Sequence, residues 1–506
     1  MPLWNTKLGA ALGYLVSFLF MGIVILVGES LQRKYNLNKE TVRKCEHLAS
    51  GLSWLFCYFF TGPTIHLFII NIIAVVAFGV ITFGNLMKSI EREDAEKSYG
   101  VFYFGIATAI AAGVVAFAPS VYQGDFYLRN GIAWYCLAFG DGFAPLVARL
   151  FKKKNIELLP GKTLAGSMTV LIISTLVAFV FNAIFQMGYT WHFVLSVGCL
   201  ACLAEAFGRK GTDNFYIEFG VFGYLILEYF GFVTIVVEVA IMVALLIVVV
   251  SAKSRALTPA ANAVSFLFLL LCAFCGGWPL MSMVVLLYVL AAIVSKFTTK
   301  KYNERGEGRK EKTARNVGQI LANSTVASVF SVLFFLLHHP VLLYCSIAAI
   351  GEEFADSMAS DFGRLSRRQP TDILHRRPMN AGISGGISPL GTLMAFVGSV
   401  LAVGIPYLLC TINPEFLPNG HTMSWYTALI LAGLCFVGTF IDSILGSGLQ
   451  VLYRCGVCQR YVENPVHCQE GATYVKGLRW MNNSLVNFFS GLITAVVACG
   501  LLFLIH

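Results

Sequence analysis

Charge is what this chain has least of. Only 12% of its 506 residues are Asp, Glu, Lys or Arg, while 57% are hydrophobic; a soluble globular domain carries about a quarter charged residues. That scarcity excludes a water-soluble fold and leaves a multi-span membrane protein. Polar sequence is equally short. The longest strongly polar stretch is KFTTKKYNERGEGRKEKTAR, from Lys296 to Arg315. A secreted disulfide framework is missing as well, because ten of the fourteen Cys lie within or beside apolar runs, where a free thiol behaves as a small hydrophobe. The first apolar run follows a single Lys and has no small-residue cleavage pattern, so it reads as a span and not as a signal peptide. The net charge is +9, but no basic groove with stacked aromatics and no finger spacing accompanies it, and no nucleic-acid partner is expected.

What is present is a succession of apolar runs long enough to cross about 30 Å of hydrocarbon. They are expected near 8–28, 49–61, 64–84, 100–118, 131–150, 164–186, 193–207, 215–231, 233–252, 260–276, 279–295, 318–337, 341–360, 385–410, 425–448 and 484–505. Backbone groups in lipid must bond within their own segment, so these runs are helices. The fold class is therefore all-α, a polytopic integral membrane protein of about sixteen transmembrane helices in two helical bundles. The expected domains are 1–295 and 318–506, with 296–317 as a basic cytosolic linker. With the loops alternating, 34 of the 36 Lys and Arg fall on one side, and only Lys7 and Arg129 on the other. Cytosolic loops carry such an excess, so the basic face is cytosolic and both termini lie opposite.

The acids gather at the same face. Asp141, Glu205 and Asp213 precede the linker; Glu352, Glu353, Asp356, Asp361 and Asp442 follow it. A carboxylate at or near membrane depth is costly and marks a functional position by default. In the first half, Asp141 sits in Gly140-Asp141-Gly142, eight residues before Arg149, which the cluster Lys152, Lys153 and Lys154 follows. Lys162-Thr163-Leu164-Ala165-Gly166-Ser167 then opens a span, where helix N–H groups and a lysine suit a phosphate. This is not a Walker A loop, since the glycine required five residues before Gly161 is Ile156. Carboxylates facing phosphates point to Mg²⁺, held here by Asp141, Glu205 and Asp213.

Residues 30–255 resemble the CTP-dependent polyprenol kinases, a family that includes dolichol and phytol kinases and is related to the phosphatidate cytidylyltransferases. The matching elements are Arg43-Lys44 with His47, Gly140-Asp141 with Arg149, Lys162-Thr163 with Gly166-Ser167, and Glu205 with Asp213-Asn214. The chain departs from the family at Ala165, where an acid usually precedes the Gly-Ser pair. The resemblance implies transfer of a phosphoryl group from CTP, or another nucleoside triphosphate, to an isoprenoid alcohol. Asp141 would serve as base for the alcohol proton or as metal ligand.

The second half carries denser motifs. Asp356-Ser357-Met358-Ala359-Ser360-Asp361-Phe362-Gly363 places two acids five residues apart on one helix, and Arg376-Arg377 leads into Gly382-Ile383-Ser384-Gly385-Gly386-Ile387-Ser388. Glycines permit close approach to phosphate oxygens and arginines clamp them. Asp442-Ser443, Gln450, Asn482, Asn483 and Asn487 follow. From Gln319 onward the chain resembles the membrane family containing phytyl-phosphate kinase. That resemblance implies conversion of an isoprenyl monophosphate to its diphosphate. Asp356, Asp361 and Asp442 would be catalytic or hold Mg²⁺, and Arg376, Arg377, Ser384, Gly385, Gly386, Ser388 and Asn483 would hold phosphate. The two halves also share an order: Asp141, Gly166-Ser167, Glu205 and Asp213-Asn214 parallel Asp356, Gly385-Gly386, Asp442 and Asn482-Asn483. A distant internal duplication would produce it.

Cys455, Cys458, His467 and Cys468 offer four soft ligands within fourteen residues. The Cys pair has zinc spacing, while adjacent His467 and Cys468 are awkward as simultaneous ligands, so structural Zn²⁺, reduced thiols and a disulfide all remain open. The expected partners are an isoprenoid alcohol and its monophosphate, a nucleoside triphosphate and the bilayer. A lipid cytidylyltransferase, a transporter and a non-catalytic scaffold are the competing classes. A transporter would place its acids near the bilayer midplane instead of at one edge.

Overall fold

The computed structural model describes residues 3–4, 6–35, 39–84, 100–151, 156–209, 211–304, 314–416 and 422–505. Lys152, Lys153, Lys154 and most of the charged segment after Glu304 lie outside the described residues. The protein is all-helical apart from short hairpins, and among the described residues eleven helices are long and apolar enough to cross a membrane.

The chain forms two compact units, Met1–Val249 and Val250–His506. This division falls well before the 296–317 linker expected from charge. The reason is α11 (Pro259–Glu304), which packs against α12 (Val317–Leu337), α13 (Pro340–Gly363) and α14 (Pro389–Ile412). The two expected spans, 260–276 and 279–295, are two helical segments under the label α11 and meet at a break where Gly277 adopts φ 64° ahead of Pro279. Only glycine takes that conformation without strain, and proline removes the hydrogen bond that would straighten the break.

The first unit holds α1 (Lys7–Tyr35), α2 (Lys39–Phe60), α3 (Ile65–Gly84), α4 (Gly100–Phe117), α5 (Ser120–Tyr135), α6 (Gly142–Leu150), α7 (Leu164–Phe185), α8 (Trp191–Phe207), α9 (Asp213–Tyr229) and α10 (Ile235–Ser254). The span expected at 131–150 begins earlier, at Ser120, and runs through α5 and α6 as one rod. Between the two helices, Cys136–Asp141 forms a π-helical turn. Arg129, one of the two residues expected on the far side, is buried: it bonds Glu228 at 3.1 Å and the Leu225 carbonyl at 3.1 Å, clamping α5 to α9. Small residues let these helices approach closely, as in α4, where Gly105, Ala107, Ala111, Ala112 and Gly113 face inward.

In the second unit α13 is central. It packs against α11, α12, α14, α15 (Trp425–Gly448) and α16 (Asn483–Phe503), and is buried along most of its length. A helix shielded by neighbours need not be apolar all round, which is why α13 carries acids and fails the measure of a lipid-facing span. α8 and α9, with 17 residues each, and the charged α2 also fall short of that measure.

Each unit leads a two-stranded hairpin into a capped helix. Strands β1 (Glu157–Leu159) and β2 (Lys162–Thr163) precede α7, whose first turn is capped by Thr163; β3 (Thr371–Asp372) and β4 (Gly386–Ile387) precede α14, capped by Ser388. Between α15 and α16 the chain forms β5 (Leu452–Arg454), β6 (Tyr461–Val462), β7 (Val466–His467), β8 (Glu470–Gly471) and β9 (Thr473–Lys476). β5 pairs with β6 and β9, and β7 pairs with β8.

Candidate functional site

In the first unit three carboxylates are tied together by two lysines. Lys44 and His47 lie one turn apart on α2 and both face Asp141, the last residue of the π turn. Lys44 Nζ is 2.6 Å from Asp141 Oδ2 and also donates to the Asp141 carbonyl at 3.1 Å, and His47 Nε2 stands 3.6 Å from the same carboxylate oxygen. Lys162, at the end of the β1–β2 hairpin, donates to Glu205 Oε1 at 2.7 Å and Asp213 Oδ2 at 3.0 Å. Burial disfavours its ammonium, but Asp213 and Glu205 outweigh that cost and hold its pKa above the ordinary lysine value. Ser167 donates to Glu205 Oε2 at 3.2 Å. Asp141 lies within electrostatic range of both Lys162 and Glu205, so the two ion pairs form one network.

Several expected roles change. Lys44 is buried against Asp141, where it positions that acid. Arg149 bonds Thr41 Oγ1, joining α6 to α2. The opening of α7 was expected to offer free amides, yet Leu164 N–H donates to the Ile156 carbonyl and Gly166 N–H to Thr163 Oγ1. A capping hydroxyl exists to satisfy such amides, so positive charge at this spot comes from Lys162. Asp141, Glu205 and Asp213, the residues expected to hold Mg²⁺, are each paired with a lysine in this structure. The π turn had no sequence signal, because an i→i+5 bond leaves no residue pattern; such turns occur often at functional sites.

In the second unit Glu352, Glu353, Asp356 and Asp442 are arranged differently. Glu352, Glu353 and Asp442 are buried, and Asp356 lies within their field. Among the described residues none of the four makes an ion pair with Lys or Arg, and only the longer-range field of Arg315 reaches Glu353. Asn323 of α12 and Asn487 of α16 both donate to Glu353, the latter at 3.3 Å, and Ser490 donates to Asp442 at 3.4 Å. Glu352 is 1% exposed and its Oε1 has no partner. It is cradled by glycine: a Cβ on Gly438 would lie 2.5 Å from its Cγ. An orphaned carboxylate oxygen with no lysine or arginine paired to it is a donor that a divalent cation accepts, but no three of these carboxylates bring their oxygens within 4.8 Å of one another, so they are not a preassembled cation site. Glu352, Glu353, Asn323 and Asn487 were legible as polar residues in apolar runs, but their convergence was not.

Asp356 and Asp361 lie on an unbroken helix, since α13 runs on to Gly363, and do not converge through a break there. Asn483 is exposed at the start of α16, whereas Asn487, one turn on, reaches the acids. The Gly/Ser segment packs instead on the C-terminal end of α15. Gly385 (φ 89°) passes so close that a Cβ would lie 2.6 Å from Ser447 N, and Ser388 Oγ accepts the Gly391 amide at 3.1 Å. Gly386 lies in β4, and Arg376 and Arg377 stand exposed in the loop between β3 and β4. That loop is fixed by Asp372, a residue without an assigned role in the sequence. Its Oδ1 accepts from Ser447 Oγ at 2.6 Å and from the Leu374 and His375 amides at 2.9 and 3.0 Å; although burial alone would raise its pKa, these bonds hold it down at about 2. A cavity of about 260 Å³ opens beside it, lined by Asp372, Ser384, Gln450, Glu463 and Lys476 among others.

Cys455, Cys458, His467 and Cys468 do come together: their donor atoms all lie within 4.8 Å of one another. Among the described residues no other group of three or more His, Cys, Asp or Glu does so.

Comparison with known proteins places the chain beside a family of membrane proteins and beside curated relatives. The family described as Integral membrane protein DUF92 matches residues 242–495, half of the chain. Protein PGR of Arabidopsis thaliana is 27% identical over 275 residues, covering 51% of this chain and 92% of that protein. The phytol kinase of a Synechocystis species is 25% identical over 227 residues, 44% of this chain and 90% of that protein. No solved structure matches.

Proposed function

The chain belongs to the DUF92 family of integral membrane proteins, and from that premise we propose that it is a phosphotransferase for isoprenoid alcohols. The first unit phosphorylates a polyprenol of the phytol, farnesol or geranylgeraniol class, with CTP or another nucleoside triphosphate as donor. The second converts the monophosphate to the diphosphate. Both sites open on the cytosolic side, where the sequence concentrates its basic residues.

The observation that carries this reading is Lys162, held by Glu205 and Asp213 in the field of the Lys44–Asp141 pair. Phosphoryl transfer passes through a loose transition state and needs placement and charge neutralisation more than covalent help. Lys162 neutralises charge on the transferring phosphoryl group. Asp141, positioned by Lys44, accepts the alcohol proton as the alcohol oxygen bonds the γ-phosphorus and the bond to the nucleoside diphosphate breaks. The isoprenoid tail stays among the apolar helices while its hydroxyl reaches the network. Glu352, Asp356 and Asp442 are not preassembled around an ion, and they would hold Mg²⁺ together with the substrate's phosphate oxygens, where it would neutralise phosphate charge in the second unit. The 25% identity to a phytol kinase across 90% of its length supports the substrate class.

Two variants test the division of labour. Asp141→Asn should abolish phosphorylation of the alcohol and spare that of the monophosphate, and Asp356→Asn should do the reverse. If either folded variant lost both steps, the assignment of one step to each unit would be wrong.

A further inference from the structure

The four clustered soft ligands lie apart from the phosphotransfer residues, on two hairpins of the segment between α15 and α16. The first hairpin joins β5 to β6 and carries Cys455 and Cys458 at its turn, closed by Cys455 N–H donating to the Arg460 carbonyl at 2.9 Å and Gln459 N–H to the Cys455 carbonyl at 3.0 Å. The second hairpin joins β7 to β8, with Cys468 and Gln469 as its two-residue turn. Their φ angles are 51° and 64°, which defines the turn type that usually takes Asn-Gly.

That turn removes the difficulty of adjacent His467 and Cys468. With Cys468 in the left-handed region its thiol swings back over the preceding ring, and Cys468 Sγ lies 3.2 Å from His467 Nδ1, with Cys458 Sγ 3.5 Å from the same nitrogen. A tetrahedral zinc with Zn–S bonds of about 2.3 Å separates its donor atoms by about 3.5 to 3.8 Å, so the cluster is near ligand geometry already. Two successive left-handed residues that are neither Gly nor Asn are strained, and a metal–sulfur bond to Cys468 would hold that conformation. Three thiolates and one imidazole select zinc over Mg²⁺ or Ca²⁺, and four protein ligands leave no position for substrate.

We propose that Cys455, Cys458, His467 and Cys468 bind one structural Zn²⁺ that fixes the β5–β9 segment against the cavity of the second unit. The segment sends two side chains there. Glu463 Oε1 accepts the Ser384 amide at 3.2 Å, and Lys476 Nζ donates to the Ser447 carbonyl at 2.9 Å. Both line the cavity beside Asp372 and Gln450. The ion thus sets the position of one acid and one base at the cavity without touching its contents.

The test uses the full chain purified in detergent without added metal. Elemental analysis should find about one zinc per chain, and protein produced with cobalt should show thiolate-to-cobalt charge-transfer bands with the strong visible bands of tetrahedral Co²⁺. Cys458→Ser should cut zinc to below about a tenth, whereas Cys435→Ser, a buried thiol in α15, should leave it unchanged. Removing zinc from the wild type with a chelator should raise amide exchange across 452–476 and not in α7, a readout that survives if Cys458→Ser does not fold. Wild-type protein without zinc, a Cys455–Cys458 disulfide, iron in place of zinc, or zinc that persists in Cys458→Ser would overturn the site. Unchanged exchange after zinc removal would overturn its role in fixing the segment.

Discussion

Lys44 and Asp141 show what one buried pair does in this protein. Their side chains are 6% and 9% exposed, and removing one partner leaves the other charge buried alone, at a cost of about 3–5 kcal/mol. Lys44→Met should therefore lower the thermal midpoint in detergent, and adding Asp141→Asn should recover part of the loss. A double variant less stable than Lys44→Met would mean the pair is not coupled as its geometry implies. Lys162, paired with Glu205 and Asp213, has a different task in the proposed reaction, where its charge meets the transferring phosphoryl group. Lys162→Ala should reduce alcohol phosphorylation about 10²- to 10³-fold, the usual effect of deleting one preorganised transition-state donor, as measured by initial rates. In the second unit, Glu352→Gln should raise the Mg²⁺ concentration needed for half-maximal phosphorylation of the monophosphate, since it replaces the orphaned oxygen's carboxylate with a neutral amide. An unchanged Mg²⁺ requirement would remove Glu352 from the site.

Among the elements, the hairpin-to-helix junctions decide how the sites are held. Gly385→Ala must accommodate both φ 89° and a 2.6 Å approach to Ser447, so it should destabilise the second unit by about 1–3 kcal/mol. Gly404→Ala, with open space around it, should not; equal melting of the two variants would show that the hairpin does not depend on this contact. Legibility in the sequence follows the same physics. Apolar runs marked the lipid-facing helices because lipid demands them, and the Gly277–Pro279 break lies where two such runs were separated. The helix α13 was expected as a span at 341–360, but its central position was hidden, since an apolar run does not say which helices surround it. The pairing of Lys44 with Asp141 was hidden as well, being a contact between residues 97 apart. Cys468 was misleading for the opposite reason: its suitability as a ligand depends on a left-handed turn that no neighbouring glycine announces.

For the whole molecule, the order of elements is the main fact. A helix with an acid, a hairpin, a Ser/Thr-capped helix and a helix with a buried acid follow one another in the first unit as α5–α6, β1–β2, α7 and α8, and in the second as α13, β3–β4, α14 and α15. This recurrence is the pattern an internal duplication leaves, and it suits an enzyme that performs two related transfers in succession on one membrane-held substrate. The most direct measurement gives the purified protein Mg²⁺, γ-labelled CTP or ATP and phytol, farnesol or geranylgeraniol, then separates the lipid products. Label should enter first a monophosphate and then a diphosphate of the alcohol. Unlabelled lipid phosphates with every donor, or label released as pyrophosphate while a nucleotide joins the lipid, would contradict phosphoryl transfer.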